Sequence, residues 1–290
     1  MGDSGGVRRA PTPLASQKAN WLRNAAFSNA FRAVGGALRE NAIAFFPVKG
    51  LITSRFLYDD VSGRPLQDID LRIRPQDFAR AVDLARRLGW RPKTDMPVLG
   101  QALFEVGGCD VDLESTIGPP GLCTLSVDDV LRRGEAHVEP FGFEHLWPDL
   151  VDHALILVLN VFKDGLRSPP WSIEDLRRIV AHPGFDSDRL ARRAAEGHVR
   201  AVLWLVANWM AEEQGSPLWR AVRERVGPTA PRAWFGAAYG RLRRRGFPPK
   251  TGLFVVGSAG DRPIDALRGA CWTAAGILHR RWAHAFGRGD

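Results

Sequence analysis

Apolar positions along the chain change period more than once, and each change marks an element. From Asn20, the positions Trp21-Leu22, Ala25-Ala26, Phe31, Val34 and Leu38 recur at helical spacing, with Gly35-Gly36 loosening the end of that helix. Ala42 to Val48 is a short apolar run that suits a buried first strand, and Lys49-Gly50 turns it into a second helix from Leu51 to about Leu57. The stretch Asp68-Ile69-Asp70-Leu71-Arg72-Ile73 alternates polar and apolar as a half-buried strand does. Asp77 suits the N-cap of a helix carrying Phe78, Ala81, Val82, Ala85 and Leu88, which Gly89 ends. Trp90 to Lys93 reads as a short strand. The runs Gln101–Val106 and Cys109–Thr116, split by Gly107-Gly108, read as a hairpin.

After Gly118-Pro119-Pro120-Gly121 the pattern is loop-rich, with one short helix near Val127–Arg132. From Pro148 the period is helical: Leu150–Phe162 is nearly all apolar and therefore central. Trp171–Val180 and His198–Met210 follow, and 218–226, 231–244 and 263–286 read as weaker amphipathic helices. Residues 247–257 fit no single period. The expected fold class is α+β, with residues 1–18 a disordered tail, 19–147 a small mixed sheet with helices, and 148–290 a helical domain.

Composition narrows the class. The chain has 290 residues, 45% of them hydrophobic, enough for two cores. No run reaches the roughly 20 apolar residues of a membrane span, and no charged start precedes an apolar segment at the N-terminus, so neither membrane nor secretory signal is expected. Three scattered cysteines, Cys109, Cys123 and Cys271, have no finger spacing and favour a reducing cytoplasmic setting. The charge of +8 is uneven: residues 187–290 hold 18 Lys and Arg against 8 Asp and Glu. A basic half attracts phosphate-bearing ligands or RNA, and Arg241 with Arg243-Arg244-Arg245 near Trp234, Phe235 and Tyr239 is the place for it. A solvated arginine-rich surface accounts for the same charge.

The chemistry centres on the acids. Period two places Asp68 and Asp70 on one strand face, roughly 7 Å apart, where they repel unless a cation lies between them. If the Cys109 strand pairs beside the Asp68 strand, a third carboxylate, Asp112, completes the set that two divalent ions need for phosphoryl or nucleotidyl transfer. Lys49 and the Gly50 amide lie where a strand enters a helix, a place that suits phosphate, and Arg64 can clamp phosphate oxygens. Each feature has a structural counterpart: a solvated Asp-x-Asp face, a plain turn, an Arg64 salt bridge to Asp59 or Asp60, and an acidic edge strand for Asp110 and Glu114. The histidines make no ligand pair, and His153 on the most apolar helix fits a core histidine.

In their order, Val48-Lys49-Gly50, Arg64-Pro65-Leu66-Gln67-Asp68-Ile69-Asp70-Leu71 and Leu88-Gly89-Trp90 resemble the uncharacterised nucleotidyltransferase family of the DNA polymerase beta-type superfamily. The family's later Asp-Leu-His-aromatic strand corresponds here to Asp112-Leu113-Glu114-Ser115, and the likeness extends through His153-Ala154-Leu155 and Ile173-Glu174-Asp175-Leu176 to about residue 180. The resemblance implies transfer of a nucleoside monophosphate from a nucleoside triphosphate, ATP or another, to a hydroxyl with release of pyrophosphate. Asp68, Asp70 and Asp112 would hold Mg2+ or Mn2+, and Lys49, Gly50, Thr53 and Ser54 would face the triphosphate. The acceptor would be a small molecule, a protein or RNA. Two other readings fit parts of the pattern: a catalytically silent member that binds nucleotide, RNA or a protein partner, and a glycosyltransferase using Asp-x-Asp.

Overall fold

The computed structural model describes residues 14–96, 99–227, 239 and 259–285. Helix α1 (Leu14–Glu40) begins earlier than the periodicity suggests and runs through Gly35-Gly36 without a break. Its buried stripe is Phe27, Phe31, Val34 and Leu38, spaced three and four apart as one helix face requires. Gly35 serves packing instead of loosening: a Cβ there would stand 2.3 Å from the Phe143 ring.

Five strands form one mixed sheet in the order β1-β2-β5-β4-β3: β1 (Phe45–Val48), β2 (Ile69–Ile73), β3 (Arg91–Met96), β4 (Gln101–Val106) and β5 (Cys109–Glu114). The β2–β5 pair is parallel and the others are antiparallel. Gly107 and Gly108, with φ of 57° and 78°, make the two-residue turn between β4 and β5, the left-handed pair that matches strand twist in a tight hairpin. Helix α2 (Gly50–Phe56) follows β1, and α3 (Pro75–Arg87) follows β2. Arg74, not Asp77, is the N-cap of α3, because Pro75 supplies the first helical turn and Asp77 falls inside it.

Ile69, Leu71, Ile73, Val111, Leu113 and Phe104 turn one sheet face into a core shared with α1 and α3. The alternate residues carry the acids to the other face. There Phe46 and Val48 of β1 join a second core made by the helices that follow. These are α4 (Val127–Arg133), α5 (Leu150–Lys163), α6 (Pro170–Ala181), α7 (Ser187–Glu196), α8 (Arg200–Glu212) and α9 (Pro217–Val226); a further helix, α10 (Pro263–Ala285), follows later in the chain. The nearly all-apolar α5 packs against α6, α7 and α8. Asp149, Asp186 and Ser216 cap α5, α7 and α9 by accepting bonds from free first-turn amides. No helix among the described residues is long and apolar enough to cross a membrane.

A two-stranded ribbon, β6 (Glu135–His137) with β7 (His145–Trp147), lies in the stretch expected to be loop. The expected helix at 231–244, the ambiguous 247–257 and the basic run at Arg241–Arg245 lie outside the described residues. Tyr239 is described: it is buried and stacks on Phe162 with ring centroids 5.0 Å apart, so its face is taken by the core.

Candidate active site

The parallel pairing of β2 with β5 sets Asp70 opposite Asp112 and Arg72 opposite Glu114. Asp68 lies just before β2, at the same edge as Asp110 in β5. Two rows of polar residues therefore share one face, and Asp70 is buried within it. Lys49, opposite this face from the β1–α2 turn, places Nζ 2.5 Å from Asp70 Oδ1.

Crowding of acids shows in their protonation. Burial first, then the charges of Glu114 and Asp70, raises the Asp112 carboxyl to about 7. Asp68 is solvent-accessible, yet desolvation and then Asp70 lift it to about 6. Glu114 goes the other way: burial alone would raise it, but Arg72, Lys163 and Lys49 outweigh burial, and a hydrogen bond from Asp112 adds to them. Burial is the largest influence on Lys49 and works against its charged form, but the charge and hydrogen bond of Asp70 together with the Glu114 charge outweigh it, so the ammonium is held above its ordinary range. The face thus carries more negative charge than its own cations neutralise.

The remaining residues expected at the site lie beneath the turn. Thr53 and Ser54 are buried, with Thr53 Oγ1 donating to Gly50 O at 3.4 Å and Ser54 Oγ to Leu51 O at 3.3 Å. Arg64 pairs with neither Asp59 nor Asp60; its guanidinium lies on Asp175 of α6, with Nη2 2.9 Å from Oδ2. Gly50 has no side chain to spare: a Cβ there would fall 2.2 Å from Arg64 Nη1. The structure therefore brings together Lys49, Asp68, Asp70 and Asp112 and sets Thr53, Ser54 and Arg64 behind them. Glu114 lies on the same face as Asp112, as its alternation predicts, and Arg72 opposite it and the charge of Lys163 at the end of α5 join them. The register pairing of Arg72 with Glu114 becomes visible only once β2 and β5 are known to be neighbours.

His153 is fully buried, its Nε2 has no partner, and burial followed by the Arg64 charge lowers it to about 3. It is a neutral core histidine. Among the described residues, no three Asp, Glu, His or Cys side chains already converge as a metal cage.

Among solved structures, the chain is similar to the antibiotic-resistance factor ANT(2'')-Ia in solution, with 14% identity over 77% of this chain and 97% of that one and a TM-score of 0.42. It is also similar to ANT(2'')-Ia in complex with adenylyl-2''-tobramycin (16% identity, 58% and 95% covered, TM-score 0.42). A tRNA nucleotidyltransferase complexed with a primer tRNA and an incoming ATP analog matches more loosely (12% identity, 87% and 99% covered, TM-score 0.27). No curated protein matches the chain in sequence. The family model described as uncharacterised nucleotidyltransferase matches residues 14–213, a span that contains the whole sheet, the Lys49-Gly50 turn and helices α1 to α8. The chain belongs to the uncharacterised nucleotidyltransferase family.

Proposed function

We propose that the protein is a metal-dependent nucleotidyltransferase that moves a nucleoside monophosphate from a nucleoside triphosphate to the hydroxyl of an acceptor and releases pyrophosphate. The observation that carries this reading is the register of Asp70 opposite Asp112 on parallel strands, with the Lys49 ammonium on Asp70. The donor set is oxygen only and under-neutralised, which suits a hard divalent ion such as Mg2+ or Mn2+. Asp68, Asp70 and Asp112 would hold it. When bound, it would lower the pKa of the acceptor hydroxyl and offset charge on the triphosphate.

The chain's own residues supply the rest. Lys49 moves from Asp70 to the phosphates as the acids are neutralised, and the Gly50 amide faces the same group. Thr53, Ser54 and Arg64 support the turn from beneath, so phosphate contact rests on Lys49 and Gly50. The acceptor oxygen attacks the α-phosphorus, the bond to the bridging oxygen breaks, and the electron pair leaves with pyrophosphate. Asp112, set opposite Asp70 by the strand register, takes the hydroxyl proton. A cytoplasmic setting agrees with the free thiols of Cys109, Cys123 and Cys271.

The test is pyrophosphate release with the four triphosphates against small-molecule, protein and RNA acceptors. Asp70→Asn and Asp112→Asn should abolish release while leaving Tm unchanged or higher; unfolding of both variants would make the acids structural instead. The Lys49–Asp70 and Arg72–Glu114 pairs favour a second reading, a nucleotide-binding member without turnover. Calorimetric binding of nucleotide with no pyrophosphate release would establish it.

A further inference from the structure

The Lys49-Gly50 turn holds an unusual backbone. Lys49 has φ 55° and ψ −132°, a region that residues with a Cβ rarely adopt and that persists only where the surroundings impose it. The imposing structure starts at Asp175, a fully buried residue of α6. Its Oδ2 accepts from Arg64 Nη2 at 2.9 Å, Arg64 Nε at 3.2 Å and Thr53 Oγ1 at 3.4 Å, and its Oδ1 from Tyr58 OH at 2.9 Å. Arg64, so held, fills the space where a Gly50 Cβ would be. From the other side Asn24 of α1 grips the same loop, donating to Arg64 O at 2.9 Å and accepting from Leu66 N at 3.0 Å. Arg178, one turn along α6, donates to Leu57 O at 3.0 Å and covers the Tyr58 ring. The helical part of the chain therefore grips both ends of α2.

We propose that Asp175 is a positioning residue of the nucleotide turn: through Arg64 it fixes Gly50, and with it the backbone from which Lys49 reaches Asp70. The proposal rests on the nucleotidyltransferase reading for what the turn binds, and on geometry alone for how the turn is held. Asp175→Asn keeps the shape and removes the charge that the Arg64 fork needs. Gly50→Ala attacks the same contact from the opposite end, by pushing the guanidinium aside.

Two measurements on the full chain test this. In nucleotide-free protein, hydrogen exchange at residues 50–56 should speed up by about tenfold in Asp175→Asn, with β2 and β5 keeping their protection. The magnesium complex of a non-hydrolysable ATP analogue should bind about tenfold more weakly, and in turnover KM for the triphosphate should rise more than kcat falls. Gly50→Ala should reproduce both effects, and the double variant should be no worse than the stronger single one, because both act on one contact. Wild-type exchange at 50–56 in Asp175→Asn, equal loss of protection in β2 and β5, or additive effects in the cycle would overturn the proposal. If the exchange results hold while wild-type protein binds no triphosphate analogue, the functional reading fails and the positioning role stands.

Discussion

Arg72 and Glu114 face each other across β2 and β5, with Nη2 2.8 Å from Oε2 and only 2% and 6% of their side chains exposed. They stand one alternation beyond Asp70 and Asp112, at the inner end of the acid face. Two buried charges survive there because each neutralises the other, and because Lys163 adds its field to Glu114. Arg72 across from Glu114 supplies the charge that a carboxylate buried there requires.

Breaking that pair from one side should be costly. Glu114→Gln strands a buried guanidinium and should lower unfolding free energy by about 3–5 kcal/mol in denaturant titration. Replacing both partners together, Arg72→Leu with Glu114→Leu, should recover most of that loss. A Glu114→Gln midpoint equal to wild type would mean that the pair holds nothing.

Two buried groups should give opposite slopes of stability with pH in metal-free protein. Asp112 sits at about 7 when folded, against an ordinary 3.8, so the folded state binds its proton more tightly than the unfolded state does. Stability from this group is full below about 4 and is lost as pH rises toward 7. His153 is lowered from 6.5 to about 3, so its contribution is full above about 6.5 and is lost as pH falls toward 3. Melting temperatures from pH 4 to 8 should therefore fall less steeply with pH in Asp112→Asn, where Asp68 keeps its own smaller share of the fall, and should rise less steeply in His153→Leu. An Asp112→Asn profile parallel to wild type would refute the assignment.

Divalent ions should stabilise the fold through the acids. At a hundredfold excess over its Kd, Mg2+ should add about 2.7 kcal/mol, and EDTA should remove it. Asp70→Asn should abolish the increment. Lys49→Ala, which deprives Asp70 of its resident cation, should lower Tm without metal and enlarge the increment with it. A Mg2+ effect of the same size in Asp70→Asn would place the ion elsewhere.

Much of the fold was legible because its signals are local. The Gly107-Gly108 hairpin, the apolar stripe of α3 and the central α5 each depend on neighbours close in sequence. The β6–β7 ribbon is not legible in the sequence because its three-residue strands, Glu135–His137 and His145–Trp147, are too short to show a period. Helix α7, strongly amphipathic but charge-rich, shows little apolar period because only Leu190 and Ala194 are buried on it. Gly35 looked like a helix breaker, and only the Phe143 ring beside it explains why a glycine stands there.

The sequence by itself determined the family, the mixed α+β character and the face on which Asp68 and Asp70 lie, because alternation along a strand is a property of the chain alone. Tertiary structure decided what those acids face. Parallel pairing of β2 with β5 set Asp112 against Asp70 and Glu114 against Arg72, a register that no spacing encodes. It also turned Arg64 from the expected phosphate side toward Asp175, 111 residues further along the chain. A buried guanidinium goes to the carboxylate that folding brings within reach, and only the folded chain determines which carboxylate that is.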